Sequence, residues 1–114
     1  STDTLALRDQ ELASAIRYIR NHAFEPLHVS DILRQIPLSR RALELRFREI
    51  LGISPAAEIR RVRIERAKEL LATTNLSIPE VAAAAGFLHT EVMNRLFQRR
   101  LNTTPTRYRR KETG

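Results

Sequence analysis

Arginine supplies almost all of the positive charge in this sequence. Of its 20 lysine and arginine residues only Lys68 and Lys111 are lysines, and the formal net charge is +7. A guanidinium group can donate two parallel hydrogen bonds to a phosphate or to a guanine edge, whereas an ammonium group acts as a compact point charge. The arginine excess makes nucleic acid the leading candidate partner. A solvated basic surface explains the charge alone equally well. The positions of the arginines must therefore distinguish a nucleic-acid-binding surface from a solvated one.

Residues with hydrogen-bonding side chains recur at helical spacing in two stretches of the sequence. Within each stretch they would share the outward face of one helix, and such donors and acceptors contact base edges in the major groove of DNA. The residues predicted to contact bases are Arg40, Arg41, Glu44, Leu45, Thr90, Glu91, Asn94 and Arg95. The residues predicted to contact phosphates are Ser39, Arg48, Gln98 and Arg99. Two ordinary solvated helix faces are the alternative interpretation.

Three residues of these two faces, one leucine and two glutamates, are less typical of a DNA-binding surface. An exposed leucine such as Leu45 is unremarkable by itself, but on a DNA-facing helix it could pack against a thymine methyl group. Glu44 and Glu91 would be repelled by phosphates unless their carboxylates accept a hydrogen bond from cytosine or orient a neighbouring arginine. We therefore expect the two glutamates to contribute less to recognition than the arginines.

The elements that must position these faces are predicted to be helices. Only three glycines and five prolines occur in 114 residues, and apolar residues recur every three or four positions. The apolar stripes are Leu12, Ala15, Ile16, Ile19 and Ala23; Val29, Ile32, Leu33 and Ile36; Leu43, Phe47, Ile50 and Leu51; Ile59, Val62, Ala67, Leu70 and Leu71; and Met93, Leu96, Phe97 and Leu101. Charged residues lie between the members of the stripe that runs from Ile59 to Leu71, and Arg63 is one of them. These charged residues are expected to face mostly solvent.

Local signals mark where these helices begin and end. Serine and threonine side chains cap helix starts, and proline fits the first helical position. The predicted starts are Ser39, Ser54-Pro55, Thr104-Pro105 and the capping box Ser77–Glu80, in which Leu76 and Val81 would form a hydrophobic staple. Gly52 and Gly86 are predicted ends.

The stretch from Val29 to Arg60 recurs after about fifty residues, with one extra residue in the second turn. Each copy has the pattern of a short helix, a tight turn and a longer helix, which is helix-turn-helix architecture. We predict an all-α fold of about seven helices within one domain, 1–114. Two tandem helix-turn-helix units, about 28–51 and 77–101, are joined by a long linker helix at about 55–73. Both polar faces lie on the second helix of a unit, the element that enters the major groove.

Composition and motifs argue against several other functions. The sequence has no cysteine and its three histidines are far apart, so we predict neither a metal site nor a cofactor. No phosphate-binding loop, nucleophile motif or cluster of acids with histidine indicates an enzyme. A protein-interaction or RNA-binding module is the more serious alternative, but RNA-binding proteins usually expose aromatic rings. Phe24, Phe47, Phe87 and Phe97 are all expected in the core.

Nothing in the sequence suggests an association with membranes. No apolar run approaches the roughly 20 residues that cross a bilayer, and no signal-like start is present. We therefore expect a cytoplasmic protein.

Three motifs of the second unit resemble the AraC/XylS family of transcription regulators. They are Ile78-Pro79-Glu80-Val81-Ala82 with Gly86-Phe87, then Arg95-Leu96-Phe97, then Thr104-Pro105-Thr106-Arg107-Tyr108-Arg109, and the resemblance covers about residues 9–111. It implies two recognition helices in successive major grooves of an asymmetric double-stranded DNA site. The base-contacting positions that it implies are Arg41, Glu44, Leu45, Thr90, Glu91, Asn94 and Arg95.

The same resemblance implies an activator that contacts RNA polymerase, together with an effector-binding and dimerisation domain missing from this sequence. A narrower resemblance within the family, carried by Pro37–Glu44 and Arg46–Arg48, implies regulation of sugar catabolism genes. The sequence departs from the family pattern in the first unit at Leu33, Pro37 and Glu58. His28 and His89 stand where serine or threonine caps are common, so we interpret them as replaced caps rather than metal ligands.

Overall fold

The computed structural model describes the backbone of residues 2–114 and the side chains of residues 10–114. Seven helices follow one another along the chain, and the described residues include no strand. The helices are α1 (Thr2–His22), α2 (Val29–Gln35), α3 (Arg40–Leu51), α4 (Pro55–Thr73), α5 (Ile78–Ala84), α6 (Thr90–Leu101) and α7 (Pro105–Thr113). The predicted all-α fold class is confirmed.

Side-chain caps explain where four of these helices begin. The hydroxyl groups of Ser39, Ser54 and Thr104 each accept a hydrogen bond of 3.1 Å from the backbone amide three residues later. The Ser77 hydroxyl accepts from the Glu80 amide at 3.2 Å, and the Glu80 carboxylate accepts from the Ser77 amide at 3.3 Å. Each bond satisfies an amide that helix geometry leaves without a partner. The four predicted helix starts are confirmed.

Removing one of these caps should lower stability measurably. We expect Ser77→Ala to reduce the free energy of unfolding by about 1 kcal/mol, because the Glu80 amide loses its acceptor. Urea unfolding followed by circular dichroism measures the change. Ser30→Ala, in the first turn of α2 and exposed, is the matched control and should be nearly neutral. Equal stability of the Ser77 variant and the wild type would contradict the capping role.

Residues in the left-handed backbone region end α3 and α6. Gly52 has φ of 74° and Asn102 has φ of 52°. Their amides donate to the carbonyl groups of Arg48 and Gln98, which closes the last turn of each helix. Glycine adopts this conformation without steric cost, and asparagine tolerates it better than most residues. Both helices therefore end after 12 residues, because the next residue adopts the left-handed conformation.

The described chain forms two compact units. Unit 1 comprises the residues up to His22 together with residues 27–60, and unit 2 comprises residues 23–26 and 61–114. In unit 1, α1 packs on α2 and α3. Its buried apolar residues include Leu12, Ala15, Ile19, Ile32, Leu43, Phe47 and Ile59. In unit 2, α5 packs on α6. Its core is formed by Ile64, Ala67, Leu70, Leu71, Val81, Ala82, Ala85, Phe87, Met93, Leu96 and Phe97.

Three residues expected in the core are exposed instead. Ile50 is 62% exposed and Leu51 is 38% exposed, although Phe47 of the same stripe is fully buried. Helical spacing gives the direction of a side chain but not whether another element covers it, and the last turn of α3 is largely uncovered. Phe24 is 39% exposed and lies in the connection between α1 and α2, where the Arg66 guanidinium stands 5.8 Å from its ring centre. The expectation of four core phenylalanines was wrong for Phe24.

Candidate nucleic-acid interface

The two helices predicted to carry the polar faces have the same length and the same register. Both α3 and α6 contain 12 residues, and every residue of α3 has a counterpart 50 positions later in α6. The counterparts Leu43 and Met93 are fully buried, as are Phe47 and Phe97. The preceding turn is one residue longer in the second copy, since four residues separate α2 from α3 and five separate α5 from α6. The repeat detected in the sequence is therefore a structural repeat.

The predicted face of α3 points away from its buried side. Arg40, Arg41, Leu45 and Arg48 are exposed, while Glu44 is half-buried. Leu45 keeps 49% of its surface exposed although it is a large apolar residue. Four of the five residues are thus free to contact another molecule, and Glu44 lies at the margin of the face.

The predicted face of α6 occupies the corresponding positions and includes Arg99 in addition. Thr90 is half-buried at the first residue of the helix, and the other members of the face are exposed. They are Glu91, Asn94, Arg95, Gln98 and Arg99. The side-chain amide of Gln98 donates to the Asn102 side-chain oxygen at 3.2 Å, which holds it along the helix surface.

Ser39 combines a structural role with the capacity to bind phosphate. Its hydroxyl oxygen accepts the bond from the Ala42 amide, and the residue is exposed at the start of α3. A hydroxyl group that accepts through a lone pair still has its proton to donate. The cap can therefore remain intact while the proton is donated to a phosphate oxygen.

Both helices are basic. α3 has four arginines and two glutamates, and α6 has three arginines and one glutamate, so each has a formal charge of +2. Arg46 lies on a different side of α3, half-buried, with a guanidinium nitrogen 4.0 Å from the Glu11 carboxylate of α1. Among the described side chains, Arg41 and Arg95 are held in no such ion pair. The charge of the predicted faces is thus directed to solvent.

His28 and His89 both occupy N-cap positions, as interpreted from the sequence. The His28 backbone amide donates to the Asp31 carboxylate at 2.8 Å, and this hydrogen bond lowers the pKa of Asp31. His89 precedes α6 with extended backbone and makes no side-chain capping bond. The described residues contain no group of three or more metal-ligating side chains around either histidine.

Two arginines bind backbone carbonyl groups, and sequence reasoning missed both bonds. Arg63 donates from Nε to the Ala23 carbonyl at 2.6 Å and from Nη2 to the Glu25 carbonyl at 3.1 Å. Burial lowers its pKa, so the expectation that it faces solvent was wrong. Arg109 of α7 donates to the carbonyls of Leu71 and Thr74. Arginines occur throughout these helices, so no local signal distinguishes the two that meet carbonyl groups about 40 residues away.

Two copies of a short helix, a turn and a 12-residue helix with an exposed polar face define a tandem helix-turn-helix module. A family model described as a helix-turn-helix domain matches residues 32–111. The xylose operon regulatory protein of Escherichia coli (strain K12) is 37% identical over 109 residues, which cover 96% of this chain and 28% of that protein.

Two solved structures show the same fold at 30% identity. One is the DNA-binding domain of AdpA in complex with a target DNA, which has a TM-score of 0.83 and covers 88% of this chain and 90% of that chain. The other is a transcriptional regulator from Chromobacterium violaceum with an AraC-type DNA-binding domain. It has a TM-score of 0.84 and covers 94% of this chain and 96% of that chain.

The chain belongs to the AraC-type helix-turn-helix family and is the DNA-binding domain of a transcription regulator. The family resemblance found in the sequence is confirmed. The chain spans about a quarter of the length of the Escherichia coli relative. Among the described helices, none combines the length and apolar character needed to cross a membrane.

Proposed function

We propose that this chain binds an asymmetric double-stranded DNA site by inserting α3 into one major groove and α6 into the next. The observation that carries the proposal is the shared register of α3 and α6, which puts an exposed polar face at equivalent positions of both helices. In helix-turn-helix proteins the second helix of each unit lies in the major groove, and these are the second helices. The two faces differ chemically, so the two elements of the site should differ in sequence.

The side chains of the two faces suit different partners on the DNA. Arg41 and Arg95 have the fork geometry for the O6 and N7 atoms of guanine, and Asn94 suits adenine. Leu45 suits the methyl group of thymine. The remaining proposed base contacts are Arg40, Glu44, Thr90 and Glu91. The proposed phosphate contacts are Ser39, Arg48, Gln98 and Arg99.

We further propose that the whole protein is a cytoplasmic regulator of sugar catabolism genes. The name of the relative with 37% identity, a xylose operon regulatory protein, supports this proposal and makes xylose genes the first candidates. The chain covers only 28% of that relative, which leaves room for an effector-binding and dimerisation domain outside this sequence. Activation through contact with RNA polymerase belongs to the same proposal.

Replacing Arg41 or Arg95 should change the base preference of the domain. We expect Arg41→Ala or Arg95→Ala to cost about 1–3 kcal/mol on the preferred site and to relax the preference at one or two base pairs. Arg100→Ala removes the same charge from an exposed position of α6 outside the proposed face, and it should leave base preference unchanged. Binding titrations on a panel of single-base variants give both quantities. Equal weakening on every sequence would reassign that arginine to a phosphate contact.

Comparing duplex DNA, single-stranded DNA and RNA tests whether the chain is specific for double-stranded DNA. Gel-shift titrations would use the same sequence as duplex DNA, single-stranded DNA and RNA, with unlabelled random duplex as competitor. We expect retention of the preferred duplex at competitor concentrations that abolish binding to the others. Equal or tighter binding to RNA would overturn the proposal and favour an RNA-binding module.

A further inference from the structure

Among the side chains that the structure describes, Leu88 is the most exposed large apolar residue, with 83% of its surface open to solvent. It lies in the turn between α5 and α6, directly before His89, the N-cap residue of α6. An apolar residue at this position often packs on the fourth residue of the helix, which here is Met93. Met93 is fully buried in the core of unit 2, but the exposure of Leu88 leaves little of its side chain for that contact.

The backbone on both sides of Leu88 is held by hydrogen bonds. Before it, the Phe87 amide donates to the Ala82 carbonyl at 2.9 Å, and the Phe87 side chain is buried in the core of unit 2. After it, the Val92 amide donates to the His89 carbonyl at 3.1 Å, which closes the first turn of α6. Leu88 is therefore the residue of this turn that points outward between two fixed neighbours.

Gly86 packs the same turn closely on other parts of unit 2. A Cβ atom at this position would lie 2.3 Å from the Ala23 carbonyl oxygen and 2.8 Å from Phe24 Cα, and its φ angle of 93° favours glycine. The Ala23 carbonyl is itself held by a hydrogen bond of 2.6 Å from Arg63 Nε. The turn thus has little freedom to move, and the outward position of Leu88 is a fixed feature of unit 2.

The first helix-turn-helix unit has a leucine at the equivalent place. Leu38 directly precedes Ser39, the N-cap residue of α3, but it is half-buried, and its amide donates to the Ile36 carbonyl at 2.8 Å. The turn before α6 is one residue longer than the turn before α3. An exposed leucine is therefore not required by the repeat itself and is particular to the second unit.

We propose that Leu88 packs against a deoxyribose of the DNA backbone beside the groove that α6 enters. This inference rests on the proposed insertion of α6 into a major groove. The N-terminal residues of a recognition helix contact base edges, so the turn just before that helix lies at the wall of the groove. Phosphates and sugars form that wall, and the C–H faces of deoxyribose are its apolar part. Removing leucine from water is favourable there, whereas phosphates require charged or polar donors.

Leu88→Ala tests this contact in binding titrations. We expect affinity for the preferred duplex to fall by roughly five- to tenfold, the effect of losing partial burial of a leucine. Because the contact is apolar and made to the backbone, the same factor should apply to single-base variants of the site, and the slope against salt should not change. The Tm should also stay the same, because the side chain is exposed.

Two further variants serve as controls for Leu88→Ala. Leu88→Met keeps an apolar side chain of similar volume and should retain nearly all of the affinity. Ile50→Ala shortens another exposed apolar side chain, which lies outside the proposed faces, and it should bind as the wild type does.

Unchanged affinity of Leu88→Ala would overturn the contact, provided that Arg95→Ala still alters base preference. If neither variant affects binding, the insertion of α6 fails as well. Replacing thymines of the site by deoxyuridine removes their methyl groups. If one such replacement cancelled the effect of Leu88→Ala, the contact would be with a base, and the assignment to deoxyribose would be wrong. A lower Tm with a matching loss of affinity would assign Leu88 to the fold and also overturn the proposal.

Discussion

Inserting five base pairs between the two elements of the operator should abolish most of the specific affinity. B-form DNA completes a turn in about 10–10.5 base pairs, so the insertion carries one element to the opposite face of the duplex. The two recognition helices are connected through α4, whose 19 residues span roughly 28 Å at 1.5 Å per residue. Successive major grooves on one face lie about 34–36 Å apart, and the recognition helices can supply the remainder. A rigid helix cannot follow the rotation, and affinity should fall by about 10³-fold or more, towards the nonspecific level.

Two control duplexes identify the cause of that loss. Replacing five base pairs of the spacer without changing its length should leave affinity nearly unchanged, because no proposed contact lies there. Inserting about ten base pairs restores the face of the duplex but adds another helical turn of separation, so binding should remain weak. Unchanged affinity after the five-base-pair insertion would show that only one helix-turn-helix unit contacts DNA specifically.

Raising the salt concentration from 50 to 200 mM should weaken binding by about 10³- to 10⁴-fold. The net charge is +7, and the basic residues are almost all arginines, several of them exposed on α3 and α6. If the domain neutralises about six to eight phosphates, released counterions give a slope of log affinity against log salt of about −5 to −7. Equilibrium titrations at four or five salt concentrations measure the slope.

Single-residue variants show which arginines contribute to the salt dependence of binding. Arg48→Gln and Arg99→Gln should each reduce its magnitude by about one and weaken binding to all sequences alike. Arg63→Gln removes a charge that is half-buried and directed at backbone carbonyls, and it should leave the slope unchanged. A slope near zero for the wild type would exclude the proposed phosphate contacts.

Features of the fold that depend on neighbouring residues could be predicted from the sequence. The caps at Ser39, Ser54, Ser77 and Thr104 involve partners only three residues away, so their sequence patterns predict the helix starts directly. The repeat could also be predicted, because two copies of one pattern reinforce each other. The outward direction of the polar faces followed from helical spacing, and their exposure in α3 and α6 agrees with it. Their contacts with DNA stay a prediction.

Features that depend on distant parts of the chain could not be predicted in the same way. Ile50 has the spacing of a core residue, yet the last turn of α3 leaves it 62% exposed. Arg63 has the spacing of a solvated residue, yet the carbonyls of Ala23 and Glu25 bind it. In both cases the exposure of the side chain depends on which distant segment packs against it. The local sequence does not contain that information. The hydrogen bonds from Arg63 to these two carbonyls could therefore be found only in the structure.

Selection of bound duplexes from a random pool, followed by sequencing, tests whether one chain recognises two major grooves. If α3 and α6 read successive major grooves, one asymmetric motif should be enriched, in which two unlike elements are centred about 10–10.5 base pairs apart. The asymmetry follows because Arg41, Glu44 and Leu45 differ chemically from their counterparts Glu91, Asn94 and Arg95. Enrichment of a palindrome or of a single short element, or no enrichment at all, would contradict recognition of two grooves by one chain.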